Sequence, residues 1–276
     1  MTILFAIALL LASLYLAITA ALYFRQASYL YSPSSTLTST PADHGYAYDE
    51  LTIHTADNVK LHGWFVPFKQ ASQVILFFHG NTGNISDGIE TIRIAQELGY
   101  NIMLFDYRGY GRSQGHISEA GTYQDAAAAW QHLRQHYHYA EKDIVILGRS
   151  LGAAIATQLA SQHKPKALII ESTFTSFPDI ASQSYPLFPV RLIARFNYNT
   201  LENIRQVKSP LLIAHSHDDE VIPYDHGKQL FKAAINVPPD SKTFMDIKGS
   251  HADGYLETGQ AYVDGLNTFL TNLPQD

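Results

Sequence analysis

The sequence predicts an α/β domain on a mostly parallel sheet with helices on both faces, carried behind one hydrophobic helix. Three observations predict it. Short runs that are apolar on both faces alternate with longer helical stretches, an amphipathic hairpin precedes them, and the chain begins with a 22-residue run free of charge. Strands of a parallel sheet are covered on both sides and read as continuous apolar runs, whereas a strand with one wet face alternates.

The uncharged run is Ile3 to Phe24, rich in Leu, Ala and Ile. As a helix it reaches ~33 Å at ~1.5 Å per residue, enough to cross a ~30 Å hydrocarbon core. Tyr15 and Tyr23 suit the interfaces, and Arg25 ends the run. A cleaved signal peptide is the rival reading, but no Lys or Arg precedes the run and Thr19-x-Ala21 matches a cleavage site poorly. Residues 1–25 are therefore expected to be an uncleaved, single-pass transmembrane anchor. Arg25 is the only nearby side-chain cation, which under the positive-inside bias places the rest of the chain on the cytoplasmic side. Residues 26–45 hold Ser, Thr and Pro with little to pack and read as a tether. Residues 46–276 read as one domain.

Within that domain Tyr46–Thr55 and Val59–Pro67 alternate around Ala56-Asp57-Asn58 as an antiparallel hairpin. Val74–Phe78, Ile102–Phe105, Ile144–Leu147, Ala167–Ile170, Leu211–Ala214 and Thr243–Ile247 read as further strands. Helices are expected over Ser86–Leu98, Glu119–His136, Leu151–Gln162, Tyr224–Ala234 and Tyr255–Leu273. Residues 174–207, broken by Pro178, Pro186 and Pro189, read as a small lid-like insertion. Its Phe174, Phe177, Tyr185, Phe188 and Phe196 either overhang the site described below as an apolar acyl pocket or glue the insertion to the domain.

Composition excludes several functions. Hydrophobic residues make up 46% and charged residues 16%, which is not the balance of a disordered chain. The net charge is −6 without any Lys/Arg cluster, so no nucleic-acid partner is expected. Without cysteine there is no disulfide framework, Cys-zinc site or thiol nucleophile. No second histidine at ligand spacing accompanies His79, and neither metal nor cofactor is expected.

Gly148-Arg149-Ser150-Leu151-Gly152 fits G-x-S-x-G between an expected strand and an expected helix. A serine in such a turn is lifted off the sheet, and the following amide, that of Leu151, points from a helix N-terminus to where an oxyanion would form. The plain alternative is a glycine-flanked N-cap serine. A serine nucleophile needs a base, commonly His oriented by a carboxylate. In this architecture the acid follows the serine and the histidine comes last. Asp218, Asp219 and Glu220 all follow the strand Leu211–Ala214. Asp219 is favoured because the loop has by then cleared the strand end. His251, after Thr243–Ile247 in Gly249-Ser250-His251, is the only histidine beyond His226, which falls inside a helix. The loop His79-Gly80-Asn81 follows Val74–Phe78. Its Asn81 amide is the second oxyanion candidate, and His79 is read as a structural histidine bonded to loop backbone.

Taken together, His79-Gly80-Asn81, Asp106-Tyr107-Arg108-Gly109-Tyr110-Gly111-Arg112-Ser113, the Gly148–Gly152 motif and the Asp219/His251 pair resemble the α/β-hydrolase superfamily over residues 46–273. With the N-terminal helix and a minimal lid, the chain is similar to its membrane-anchored branch of small serine hydrolases, the serine aminopeptidase-like proteins. The resemblance implies a hydrolase with Ser150, Asp219 and His251 as catalytic triad, and a small-molecule, lipid or acyl substrate. Cleavage of a carboxylic ester or thioester is the leading expectation. A peptidase, an acyltransferase and a non-catalytic binding module on the same fold are the alternatives. Ala153 stands where a further glycine often follows the motif.

Overall fold

A computed structural model describes residues 1–273, so the last three residues expected in the domain lie outside the described residues. Eight strands form one sheet: β1 (Asp49–His54), β2 (Lys60–Val66), β3 (Val74–Phe78), β4 (Asn101–Phe105), β5 (Ile144–Arg149), β6 (Ala167–Glu171), β7 (Leu211–Ser216) and β8 (Lys242–Ile247). Their order is β1-β2-β4-β3-β5-β6-β7-β8. β2 runs antiparallel to both its neighbours, and every other pair is parallel. The fold class is that expected, with an N-terminal hairpin on a mostly parallel sheet.

The strand pleat sorts the core into two layers. Val74, Leu76 and Phe78 of β3 join the layer under α3 (Glu119–Gln135) and α4 (Leu151–Gln162), where Trp130, Leu133 and Ile155 are buried. Ile75 and Phe77 face the other way, into the layer with Ile92 of α2 (Ile89–Glu97) and with Tyr262, Leu266 and Phe269 near the C-terminus. Period-two alternation under helices on both sides is why these strands are apolar throughout.

The order reverses at β3: the chain goes from β3 outward to β4, then crosses to β5 on β3's other side, where Phe78 pairs with Gly148. In an open α/β sheet the loops leaving the carboxyl ends at such a switch point diverge and leave a crevice. The loops after β3 and β5 are those of Asn81 and Ser150.

Three expectations need correction. The single helix expected over Tyr255–Leu273 is two, Gly254–Thr258 and Gln260–Thr271, because Gly259 adopts φ 60°, ψ −133° between them. The helix expected over Ser86–Leu98 begins as a 3₁₀ turn at Ile85–Gly88 and becomes α-helical only at Ile89. Residues 26–45 do not behave as a loose tether. The first helix, α1, runs from Thr2 to Leu30, and Gln26, Leu30 and Tyr31 are buried. Gln26 donates to the Ile193 carbonyl at 2.7 Å and accepts from the Arg195 amide at 2.7 Å. The Tyr31 and Tyr198 hydroxyls meet at 2.7 Å, and Ser32–Pro33 pairs in parallel with Thr82–Gly83. A few apolar anchors and exposed backbone groups suffice to pack a stretch whose composition is polar.

The insertion carries α5 (Phe177–Ser184), α6 (Val190–Ile193) and α7 (Thr200–Ile204). Its aromatic residues meet α1 and its exit: Phe188 stacks on Tyr15 at 5.2 Å, Tyr185 lies 6.4 Å from Tyr29, and Phe196 lies edge-on to Tyr31 at 5.4 Å.

Candidate active site

Ser150 links β5 to α4 with φ 53° and ψ −121°, a backbone state rare for a residue with a side chain. The turn is held by the Ser150 amide donating to the Glu171 carbonyl at 2.9 Å and by the Thr173 hydroxyl donating to the Ser150 carbonyl at 2.8 Å. Position 152 admits no side chain, since a Cβ there would lie 2.2 Å from the Phe78 carbonyl oxygen. That close approach brings α4 down onto the loop after β3. Leu151 is the first residue of α4, so its amide has no intrahelical acceptor.

The Ser150 hydroxyl lies 3.0 Å from His251 Nε2. His251 Nδ1 lies 2.9 Å from Asp219 Oδ2 and 3.1 Å from Oδ1. A carboxylate accepts only, so the ring proton sits on Nδ1 and leaves Nε2 free to accept from the serine. Asp219 Oδ1 also accepts the Val221 and Ile222 amides at 3.0 and 2.7 Å. Burial opposes ionisation of this carboxyl. Hydrogen bonding from His215, His251 and the Ile222 amide outweighs it and holds the group well below the usual carboxylate range. Asp218 is exposed, and its amide donates to the Ser216 hydroxyl at 3.0 Å. Glu220 Oε2 accepts the His251 amide at 3.0 Å, and the Ser216 hydroxyl donates to the Gly249 carbonyl at 2.6 Å. The end of β7 thus grips the loop that carries the histidine.

Asn81 faces Ser150 across a cavity of 230 Å³, which Phe77, His79, Arg149, His251 and Tyr255 also line. Its carbonyl accepts the Ser32 amide at 2.9 Å and the Tyr110 hydroxyl at 2.8 Å, and its side chain donates to the Leu30 carbonyl at 3.1 Å. The loop beside the serine is therefore fastened to the exit of α1. His79 is buried with Nδ1 2.8 Å from the Gly80 carbonyl, and burial pushes its pKa down. None of Phe174, Phe177, Tyr185, Phe188 or Phe196 lines the cavity, so the insertion supplies no apolar acyl pocket there; its aromatic residues hold it to the domain and to α1.

Sequence reasoning passed over an ion pair beside the serine. Arg149 Nε donates to Glu171 Oε2 at 2.7 Å, and its guanidinium lies 3.5 Å from the Tyr255 ring centroid. Burial raises the Glu171 pKa and Arg149 counters it. The available signal was a carboxylate closing an otherwise apolar strand, which demands a partner. A larger cavity of 780 Å³ lies at the amino ends of the strands, lined by Arg134, Glu141, Lys142, Asp143, Lys166 and Lys208 among others, and touches none of the residues around Ser150. Among the described residues no cluster of three or more His, Asp or Glu side chains could hold a metal ion.

A family model described as alpha/beta hydrolase fold matches residues 73–192. The chain is 34% identical over 242 residues to alpha/beta hydrolase domain-containing protein WAV2 of Arabidopsis thaliana, covering 81% of this chain and 78% of that one. It is 30% identical over 238 residues to an uncharacterized membrane protein of Saccharomyces cerevisiae, covering 84% and 82%. Among solved structures it is similar to the Pyrococcus furiosus esterase Pf2001, with a TM-score of 0.75 at 21% identity, covering 88% of this chain and 98% of that one.

Proposed function

Since the chain belongs to the α/β-hydrolase superfamily, we propose that it is a membrane-tethered serine hydrolase that cleaves a carboxylic ester or thioester through an acyl-enzyme on Ser150. The observation that carries the reading is the unbroken line from the Ser150 hydroxyl through His251 to Asp219, with steps of 3.0 and 2.9 Å.

Ser150 attacks the carbonyl carbon as His251 Nε2 takes its proton. Asp219, kept ionised, stabilises the imidazolium and fixes the ring. The carbonyl oxygen becomes an oxyanion between the Asn81 and Leu151 amides, each worth ~3 kcal/mol of transition-state stabilisation. The C–O or C–S bond then breaks, and the leaving group takes the proton from His251. Water attacks the acyl-serine with His251 again as base, releasing the carboxylic acid and restoring the serine. No cofactor enters these steps.

The cavity of 230 Å³ favours a short acyl group, because sites for drug-sized ligands run from ~300 to ~1,000 Å³. In an ester series from acetate to palmitate, kcat/KM should fall with chain length, and a rise toward palmitate would displace this part of the reading. The helix Thr2–Leu30 is long and apolar enough to cross a membrane, and none of its most apolar 18-residue window is buried, which supports the tether. A fluorophosphonate should label the protein, and Ser150→Ala should abolish the label. Labelling that survives in the variant overturns the assignment.

A further inference from the structure

Resting on the membrane-tethered reading above, we propose that the tip of the insertion, residues 185–194, is a second membrane-embedded element. It would enter the leaflet on the domain's side of the membrane, beside α1, and hold the Ser150 face of the domain against the lipid surface. The argument starts from position. Phe188 stacks on Tyr15 at 5.2 Å, and the Tyr15 hydroxyl donates to the Leu187 carbonyl at 3.1 Å. Tyr15, which by sequence alone suits an interface, stands in the middle of the uncharged run Ile3–Phe24. A segment packed against the middle of a membrane span lies inside the bilayer.

The chemistry of the tip fits that place. Leu187 and Leu192 are 81% and 87% exposed, with no protein surface over them. Exposed apolar side chains that continue an apolar span are covered by what covers the span. Lipid demands that backbone polar groups be satisfied internally. Pro186 and Pro189 have no amide hydrogen, the Phe188 amide donates to the Tyr185 carbonyl, and the Leu192, Ile193 and Ala194 amides donate back to Pro189 and Val190, while the Leu187 and Arg191 amides meet no acceptor among the described residues. The one charged side chain of the tip, Arg191, is 70% exposed and paired with Asp179 at 2.8 Å, while Arg195 follows beside the Tyr23 ring. These arginines can reach the headgroup level while their stems stay apolar.

Because the chain has no cysteine, single-cysteine reporters test this directly. Leu187→Cys, Leu192→Cys, Leu9→Cys and Ile235→Cys variants of the full chain, each carrying a polarity-sensitive fluorophore, are placed in phosphatidylcholine liposomes. Ile235 is 73% exposed, far along the chain from both apolar segments, and serves as the water-facing standard. The labels at 187 and 192 should be blue-shifted and quenched several-fold more by doxyl-lipid than by iodide, as at position 9, with the reverse at 235. If 9 reports lipid while 187 and 192 behave like 235, the tip is aqueous and this inference alone fails. If 9 also reports water, the tether reading fails and takes this inference with it.

Discussion

Two loops meet at Ser150, and they are held in opposite ways. The His251 loop is held mainly by carboxylates that follow the adjoining strand β7, Asp219 on the imidazole and Glu220 on the backbone amide, with the neutral Ser216 hydroxyl on the Gly249 carbonyl. The Asn81 loop is held by neutral bonds from a distant part of the chain, the Leu30 carbonyl and Ser32 amide at the exit of α1, together with the Tyr110 hydroxyl. The first loop belongs to the sheet. The second is completed by the segment that leads to the membrane. The difference teaches that, on the proposed mechanism, proton transfer should survive damage to the N-terminal segment while oxyanion binding should not.

The largest effect should come from breaking the charged side. Asp219→Asn removes the charge and turns one acceptor oxygen into an NH2 donor, so the His251 tautomer is no longer fixed, and kcat on p-nitrophenyl acetate should fall about 10⁴-fold with little change in KM. Fluorophosphonate labelling should slow in parallel. A loss of less than tenfold would show that Asp219 is not the orienting acid.

Breaking the other side should cost less and leave the histidine competent. A chain lacking residues 1–25 keeps Leu30 and Ser32 and should retain kcat on a soluble ester. A chain lacking residues 1–34 frees the Asn81 peptide and should lose about 10²-fold in kcat, the scale of one oxyanion donor. Ser32→Pro, which deletes the amide donor to Asn81 while keeping the rest of the segment, should fall between them and guards against a truncation that does not fold. Equal activity in all three would mean that the α1 exit plays no part in positioning Asn81.

The same contrast explains what could be read from the chain. Residues 150, 219 and 251 each lie just past the carboxyl end of an apolar run, so strand ends alone bring them to one edge of the sheet. The strands were legible because burial on both faces imposes continuous apolarity. Choosing among Asp218, Asp219 and Glu220 was harder, since all three carboxylates stand in one loop and only the turn decides which faces the histidine. The clamp on Asn81 was not legible. It joins the Asn81 side chain to a backbone carbonyl 51 residues away, and backbone groups leave no trace in composition. Nor was the Gln26 contact with residues 193 and 195, where one polar side chain satisfies two backbone groups of a distant insertion.

Acid should distinguish the two sides as well. The Asp219 carboxyl is held well below its usual range despite burial, so its ionised form stabilises the fold. A depressed folded-state pKa contributes fully above the unfolded value, ~3.9, and its contribution is lost as pH falls through that value toward the folded one. The stability gap between the wild type and Asp219→Asn, followed by thermal unfolding in detergent, should therefore be constant from about pH 6 to 5 and close below about pH 4. The titrating group that the Ser32 backbone touches, Tyr110, is raised above its usual range by burial and does not titrate in acid, so the Ser32→Pro gap should stay flat over the same range.

The smallest changes test whether the two supports are independent. Tyr110→Phe removes one neutral donor to the Asn81 carbonyl, which keeps the Ser32 amide, and should cost about 1 kcal/mol, or roughly fivefold in kcat. Glu220→Gln keeps an acceptor for the His251 amide but loses its charge at an exposed site, and should cost less than about 1 kcal/mol. The two residues share no partner and approach Ser150 from different loops. Their effects on log kcat should add in the double variant to within about 0.5 kcal/mol. A larger coupling would mean that displacing either loop shifts the other through Ser150 itself, as expected of an elbow already strained at φ 53°.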